Sequence, residues 1–426
     1  MVKRDVAINI LRETLSRRHL VGAGTAVATA AALAPTTVFG QSRQTIMTGE
    51  ANSSAADMGP ENNAMKSINA DGFMPPPTDH GSVPQFWHSF SAVHRRVQDG
   101  GWARQVNVED FPISTEIAGV NMKLNAGGIR ELHWHAANEW SLMLSGNCRL
   151  TAIDLDGKSY VADVAQGDLW YFPTGIPHSL QGLGPEGCEF LLVFDDGRFS
   201  EDNTTLISDW AIHTPPEVLA KNWNAPQSAL EPLRSIPREG KYIFQAPVPG
   251  SLASDQQAAA NGRPATPIKF QFAMQGMPPT KSGRNGEVRI VDSTNFPIST
   301  NIAMAHVRLK PGGLRELHWH PNADEWQYYL QGSGRMTLFH NKSEASTADF
   351  NPGDVGYVPK TLGHYIENTG TDDLVFLEMF KAPKYEDLSL NDWMTHIPPE
   401  LVMQHLGISA ETLGNIPKAN LAVLPA

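Results

Sequence analysis

Apolar residues along this chain gather in short runs, without the heptad spacing of long helices. Glu189–Phe194 (EFLLVF) and Leu374–Phe380 (LVFLEMF) are continuous apolar segments of strand length, the kind buried between two packed sheets. Gly127-Gly128 and Gly167-Asp168, with Gly312-Gly313 and Gly353-Asp354, mark tight turns between such runs. Short strands separated by turns roughly every 8–12 residues predict a sandwich or a closed barrel. Short helical segments are expected at the end of each unit, around Asp209-Trp210 and Asp392-Trp393, each followed by Pro-Pro-Glu.

The pattern occurs twice. Ser114–His135 and Ser299–His320 share 13 of 22 residues, and both end in Arg-Glu-Leu-His-Trp-His. Gly167–Pro173 matches Gly353–Pro359. A duplication of this length predicts two copies of one all-β unit in tandem. Four segments follow: residues 1–40, an arm at 41–80 poor in large apolar groups, a first unit at 81–240 and a second at 241–426. Residues 225–267 are rich in proline, glycine and alanine and read as a connection, although Lys241–Gln245 has strand character.

Ser16-Arg17-Arg18-His19-Leu20-Val21 is a twin-arginine pattern. The mildly apolar stretch Leu20–Leu33 behind it is too short to span a bilayer. With a small residue at Gly40, this predicts an export signal and a periplasmic or secreted mature protein. A helix with adjacent arginines is the plainer alternative. The whole chain carries a formal charge of −12; residues 1–40 hold five basic and two acidic groups, so the remainder stands near −15. So acidic a body argues against nucleic acid or an anionic membrane as partner, and an anionic substrate would need a local positive charge. Cys148 and Cys188 could pair outside the cytoplasm, or be two small buried thiols.

In His133-Trp134-His135 a strand would put both imidazoles on one face and the tryptophan on the other. Glu139 follows a short turn, and His178 lies 39 residues further on. The second unit repeats the set as His318, His320, Glu325 and His364, again with 39 residues between glutamate and histidine. A lone His-x-His is often a hydrogen-bonded core pair, but four ligand types repeated at matched spacing predict two metal sites. Three imidazoles and one carboxylate suit a divalent first-row ion, whereas structural zinc favours cysteine and magnesium favours oxygen. Four protein ligands on an octahedral ion leave two positions free for chemistry.

These motifs resemble those of the bicupins, and specifically of the oxalate decarboxylases, from about residue 80 to 420. Gly127-Gly128 through Glu139, Gly167 through His178, and Phe190–Gly197 (FLLVFDDG) carry the resemblance, with their second-half counterparts. It implies two cupin barrels, of the jelly-roll or double-stranded β-helix type, with short peripheral helices. It further implies one manganese per domain, dioxygen as an unconsumed co-catalyst, and conversion of oxalate to formate and carbon dioxide. Arg130 would hold the substrate carboxylate and Arg315 is its second-half counterpart; their ordinary alternatives are salt bridges to Glu131 and Glu316. One such donor at developing negative charge is worth about 3 kcal/mol.

Glu201, in Ser200-Glu201-Asp202-Asn203, corresponds to the family's proton-carrying glutamate on a closing loop. The usual loop continues with asparagine and serine, so Asp202-Asn203 is a departure. Glu378, set where the first half has Val193, would be a second-site acid or a partner of the metal histidines. The resemblance also implies a homo-oligomer, a trimer or hexamer joined through the helical ends. Two other readings of the scaffold are a peroxide-forming oxalate oxidase and a non-catalytic metal-binding or storage bicupin; zinc or iron bicupins acting on other small acids are a third.

Overall fold

The computed structural model describes residue 60, residues 62–68, 83–341 and 344–424. The twin-arginine pattern and the expected cleavage point lie outside the described residues. Within the expected arm, Asn63–Ile68 forms a short helix. No helix among the described residues is long and apolar enough to cross a membrane.

The two repeats fold as two antiparallel β-barrels. In the first, Cys188–Phe194 runs between Ala118–Leu124 and the 15-residue strand Glu139–Ile153, pairing with both. That long strand passes through Gly146 at φ 69° and continues into a second sheet, where Asn147–Ile153 pairs with Ser159–Ala165. In the second barrel the equivalent chain is cut at Gly332, leaving Glu325–Gln331 and Gly334–Phe339 as separate strands in separate sheets. The apolar runs behave as expected: Leu374–Phe380 is buried at every position. Cys148 and Cys188 are free, buried thiols, Cys148 inside the long strand and Cys188 at the start of its neighbour.

The barrels exchange edge strands. Trp87–Ser89, ahead of the first barrel, pairs with Asp354–Val358 of the second. Gln271–Phe272, ahead of the second, pairs with Leu169–Phe172 of the first. The segment Ile243–Gln245, beyond the expected division at residue 240, is a strand on Gly128–Trp134 of the first barrel. Between the barrels lies one apolar core that includes Trp140, Tyr171, Trp326 and Tyr357. Trp140 and Trp326 each follow a predicted metal-binding glutamate, so the alternation that turns Glu139 and Glu325 inward sends the indoles outward into this shared core.

Candidate metal centres and acid loop

Each barrel brings its four predicted ligands together, with ligand atoms all within 4.8 Å of one another. His133 and His178 are direct cross-strand partners with ring centroids 4.2 Å apart; His318 and His364 repeat this at 4.1 Å. Glu139 and Glu325 open the strands that follow the turn. All eight side chains are buried.

The backbone fixes the tautomers. His133 Nδ1 lies 2.6 Å from the Glu131 carbonyl, His135 Nδ1 2.7 Å from that of Ala137, and His178 Nδ1 2.8 Å from that of Ile176. His318, His320 and His364 face the carbonyls of Glu316, Glu386 and Leu362 in the same way. A carbonyl only accepts, so each Nδ1 donates and each Nε2 offers a lone pair to the centre. There His364 Nε2 and Glu325 Oε2 stand 2.8 Å apart, and His178 Nε2 and Glu139 Oε2 3.3 Å. These contacts join two lone-pair carriers and are not hydrogen bonds: His178, His318, His320 and His364 Nε2 and Glu325 Oε2 have no partner although buried. Orphaned acceptors converging on one point are what a cation requires, and the donor set fits a divalent first-row ion.

The electrostatics agree. Burial, then Arg130 and the neighbouring histidines, hold His133 well below the usual imidazole value; burial, Arg315 and the other histidines do the same to His318. Burial also lowers His178. For Glu139 and Glu325 burial acts upward, but His178 and His135, or His364 and His320, outweigh it and hold both carboxyls well below their usual value. His320 runs the other way, because Glu325 outweighs its burial and raises it. A carboxylate held ionised by the positive charge of neighbouring imidazoles is served equally by a bound cation, which takes the place of their protons.

Beside the first cage, the Arg130 guanidinium is almost fully buried, at 1% exposure. Its Nη2 donates to Glu201 Oε2 at 2.9 Å and to Thr204 Oγ1 at 3.1 Å, while its Nε and Nη1 have no partner. Glu201 opens a 3-10 turn, Glu201–Asn203, and is itself buried. Phe199, just before it, stacks on Phe194 at 3.5 Å and meets His135 edge-on at 5.7 Å. The salt bridge to Glu131 is not made: that carboxylate accepts from the backbone N–H groups of Ser208, Lys241 and Tyr242.

The second cage differs. Arg315 Nε donates to Glu378 at 3.0 Å and its Nη2 to Asp387 at 3.0 Å and to the Tyr385 hydroxyl. Its Nη1 reaches the Ala422 carbonyl at 3.5 Å, so this guanidinium is occupied from every side. Glu378 is therefore the partner of Arg315 and makes no hydrogen bond to a metal histidine. Strand register corrects its counterpart as well: Phe194 and Phe380 both sit opposite the metal glutamates, which aligns Glu378 with Leu192, not Val193. Burial raises the Glu378 carboxyl, with Glu325 adding to it and Arg315 opposing.

Sequence reasoning missed Tyr242, whose ring centroid lies 4.4 Å from the Arg130 guanidinium. Tyr242 adopts φ 57°, and Ala422 adopts φ 60° at the matching place in the second half. Glu131 N–H donates to the Tyr242 carbonyl as Glu316 N–H donates to that of Ala422. The only sequence signal was the strand character of Lys241–Gln245; its partner, far down the chain, gave no sign. Thr204, Tyr385 and Asp387 were missed for the same reason, lying on loops without periodicity.

The Cupin family matches residues 90–229 and 273–413. The chain is 48% identical over 352 residues to an oxalate decarboxylase of Bacillus subtilis, covering 83% of this chain and 90% of that protein. It is 39% identical over 346 residues to a probable oxalate decarboxylase of Arthroderma benhamiae, covering 80% and 84%. A solved structure of the Bacillus subtilis enzyme, described for its Mn(II) centres, superposes with a TM-score of 0.83 at 45% identity, over 87% of this chain and 97% of that one.

Proposed function

This chain belongs to the cupin family as a two-domain oxalate decarboxylase, and from that premise we propose that it converts hydrogen oxalate to formate and carbon dioxide at its first-barrel site. Manganese fits both His3Glu cages, as in the relative described for such centres. When bound with dioxygen, it would supply the one-electron chemistry that loosens the carbon–carbon bond.

The protein's own groups do the rest. Arg130, whose buried Nε and Nη1 have no partner, takes the substrate carboxylate by a charge-assisted pair of hydrogen bonds. Its fixed positive charge offsets the overall negative field. Glu201 takes the proton of hydrogen oxalate and returns it to the carbon that carbon dioxide leaves, so no proton is gained or lost overall. Closing the loop excludes the water that would intercept that carbon. One observation carries the assignment: a buried carboxyl on a loop, 2.9 Å from an arginine that still has two free donor atoms, against a metal cage. The second cage offers its arginine no free donor except through Glu378, Tyr385 and Asp387, which favours the first barrel as the main site.

Two wider readings accompany this one. The twin-arginine pattern supports export of the folded protein. Exposed Trp210 and Trp393, at matching places on the short helices of the two halves, support a homo-oligomer, trimeric or hexameric, joined through those helices.

The test is a product assay on manganese-loaded protein given oxalate at acidic pH. Formate in equal amount to the oxalate consumed is the expected result. Hydrogen peroxide as the main product would make the enzyme an oxidase.

A further inference from the structure

Glu201 and Asp202 are consecutive residues that reach in different directions. Glu201 turns in to Arg130, while Asp202 Oδ1 accepts from Arg96 Nη1 at 3.1 Å, 106 positions away in sequence. Both arginines rest on one ring: the guanidinium of Arg96 lies 3.8 Å, and that of Arg130 4.4 Å, from the centroid of Tyr242. Neither arginine is on the loop. Arg96 belongs to Arg95–Gln98, which pairs with Gly101–Val106, and Gln98 Oε1 accepts from the backbone N–H of Ile243 at 2.8 Å. Tyr242 itself is pinned by Glu131. The loop acids thus grip two cations mounted on a rigid tyrosine platform.

We propose that the Asp202–Arg96 pair is a latch holding the acid loop closed, and that Asp202 is a positioning residue for Glu201. The decarboxylase pattern has a neutral asparagine at this place, which could not form an ion pair with Arg96; the departure at Asp202 therefore has a structural partner. Glu201 N–H also donates to Gln105 Oε1 at 3.0 Å, a second tie between loop and barrel, so loss of the latch favours opening without being the whole of it. Asp202 is 80% exposed and Arg96 33%, so the latch works in water and biases the loop without locking it. A surface pair of this kind shifts an open–closed equilibrium by about two- to five-fold and is screened by salt.

The inference rests on the reading of Glu201 as an acid on a moving loop, and its test is kept separate from that reading. Hydrogen exchange at the amides of residues 200–204, followed by mass spectrometry on full-length manganese-loaded protein, reports loop opening without turnover. Asp202→Asn and Arg96→Gln are each expected to speed exchange about two- to five-fold at low salt. The double variant Arg96→Glu with Asp202→Arg is expected to restore slow exchange, and the unaltered protein in ~1 M salt to approach the single variants. The formate-to-peroxide ratio should fall in the single variants and recover in the double. Exchange that ignores both substitutions and salt would overturn the latch. If exchange responds as expected but Glu201→Ala keeps full formate production, the latch stands and the acid assignment falls.

Discussion

Arg130 Nη2 and Glu201 Oε2 meet at 2.9 Å with both side chains buried, while the Nε and Nη1 of the same guanidinium are buried without partners. The pair holds a buried carboxyl beside the first cage, where the proposed reaction needs its proton carrier. On the proposed mechanism, replacing Glu201 removes the proton carrier and leaves the cage in place, because none of its hydrogen bonds goes to a ligand. Glu201→Ala is expected to lower formate production by about 10²–10⁴-fold, the usual weight of a positioned acid–base group, with manganese content unchanged. Formate assay and metal analysis on one preparation check both halves of the statement.

Arg315 predicts a different phenotype from Arg130, although the two occupy matching places. Arg315 and Glu378 form a fully buried pair, to which the partly exposed Asp387 adds a second carboxylate. Arg315→Ala would leave the buried Glu378 carboxyl without a cation, Asp387 keeping Lys281 at 3.8 Å, at a cost of about 3–5 kcal/mol, seen as a lower unfolding midpoint in denaturant. Arg130→Lys keeps a charge beside Glu201 but loses the planar fork, so its loss should appear in kcat/KM far more than in stability. Equal stability losses in the two variants would contradict the division of labour between the barrels.

The stability of the metal-free protein should depend on pH in a defined direction. Burial lowers His133, His178 and His318 in the folded protein, so below the unfolded value of 6.5 the unfolded chain binds protons that the folded chain refuses. Their effect is absent well above pH 6.5 and destabilises increasingly below it. His320, raised, opposes this; its contribution is full below 6.5 and fades as pH rises through its folded value. Glu139 and Glu325, lowered, stabilise above 4.5 and lose that contribution only in stronger acid. With three imidazoles against one, metal-free protein should lose thermal stability steadily from pH 7 to pH 5. Thermal scans of chelator-treated protein across that range check the slope; a rising midpoint would refute it. Metal-loaded protein should show a slope at least as steep, since the ion also keeps His320 deprotonated while the unfolded chain still takes up protons.

The fold and the cages were legible in the sequence because both rest on local periodicity. Alternation on Gly128–Trp134 is enough to set His133 and His135 on one face, and the repeat supplied an independent second copy. What stayed hidden depends on contacts between distant segments. Nothing near Tyr242 announces that it will meet Arg130, and nothing near Trp87 announces a strand on the other barrel. Glu378 looked like a site acid because its strand faces inward; that Arg315 would take it up depended on Tyr385 and Asp387, on a loop with no pattern of its own. Asp202 appeared only as a departure from a family motif until Arg96 supplied its reason.

The shared core between the barrels makes its own prediction through Gly119. This glycine lies in the first-barrel strand Ala118–Leu124, and a Cβ there would come 2.6 Å from Cζ2 and 2.8 Å from Cη2 of Trp326, a fully buried side chain of the second barrel. Real Cβ contacts are not that short, and the indole is held in place: Phe90 would lie 3.2 Å from the same Cβ, and Tyr328 stacks parallel to Trp326 at 6.3 Å. Gly119→Ala should therefore force the barrels apart locally and cost about 1–3 kcal/mol, the usual penalty of an overpacked core. Trp326 directly follows Glu325, so the strain should reach the second cage before the first. The expected result is a lower unfolding midpoint together with weaker binding at one of two manganese sites, resolved by metal titration. Unchanged stability and two unperturbed sites would mean that the indole moves freely and that the shared core does not couple the barrels.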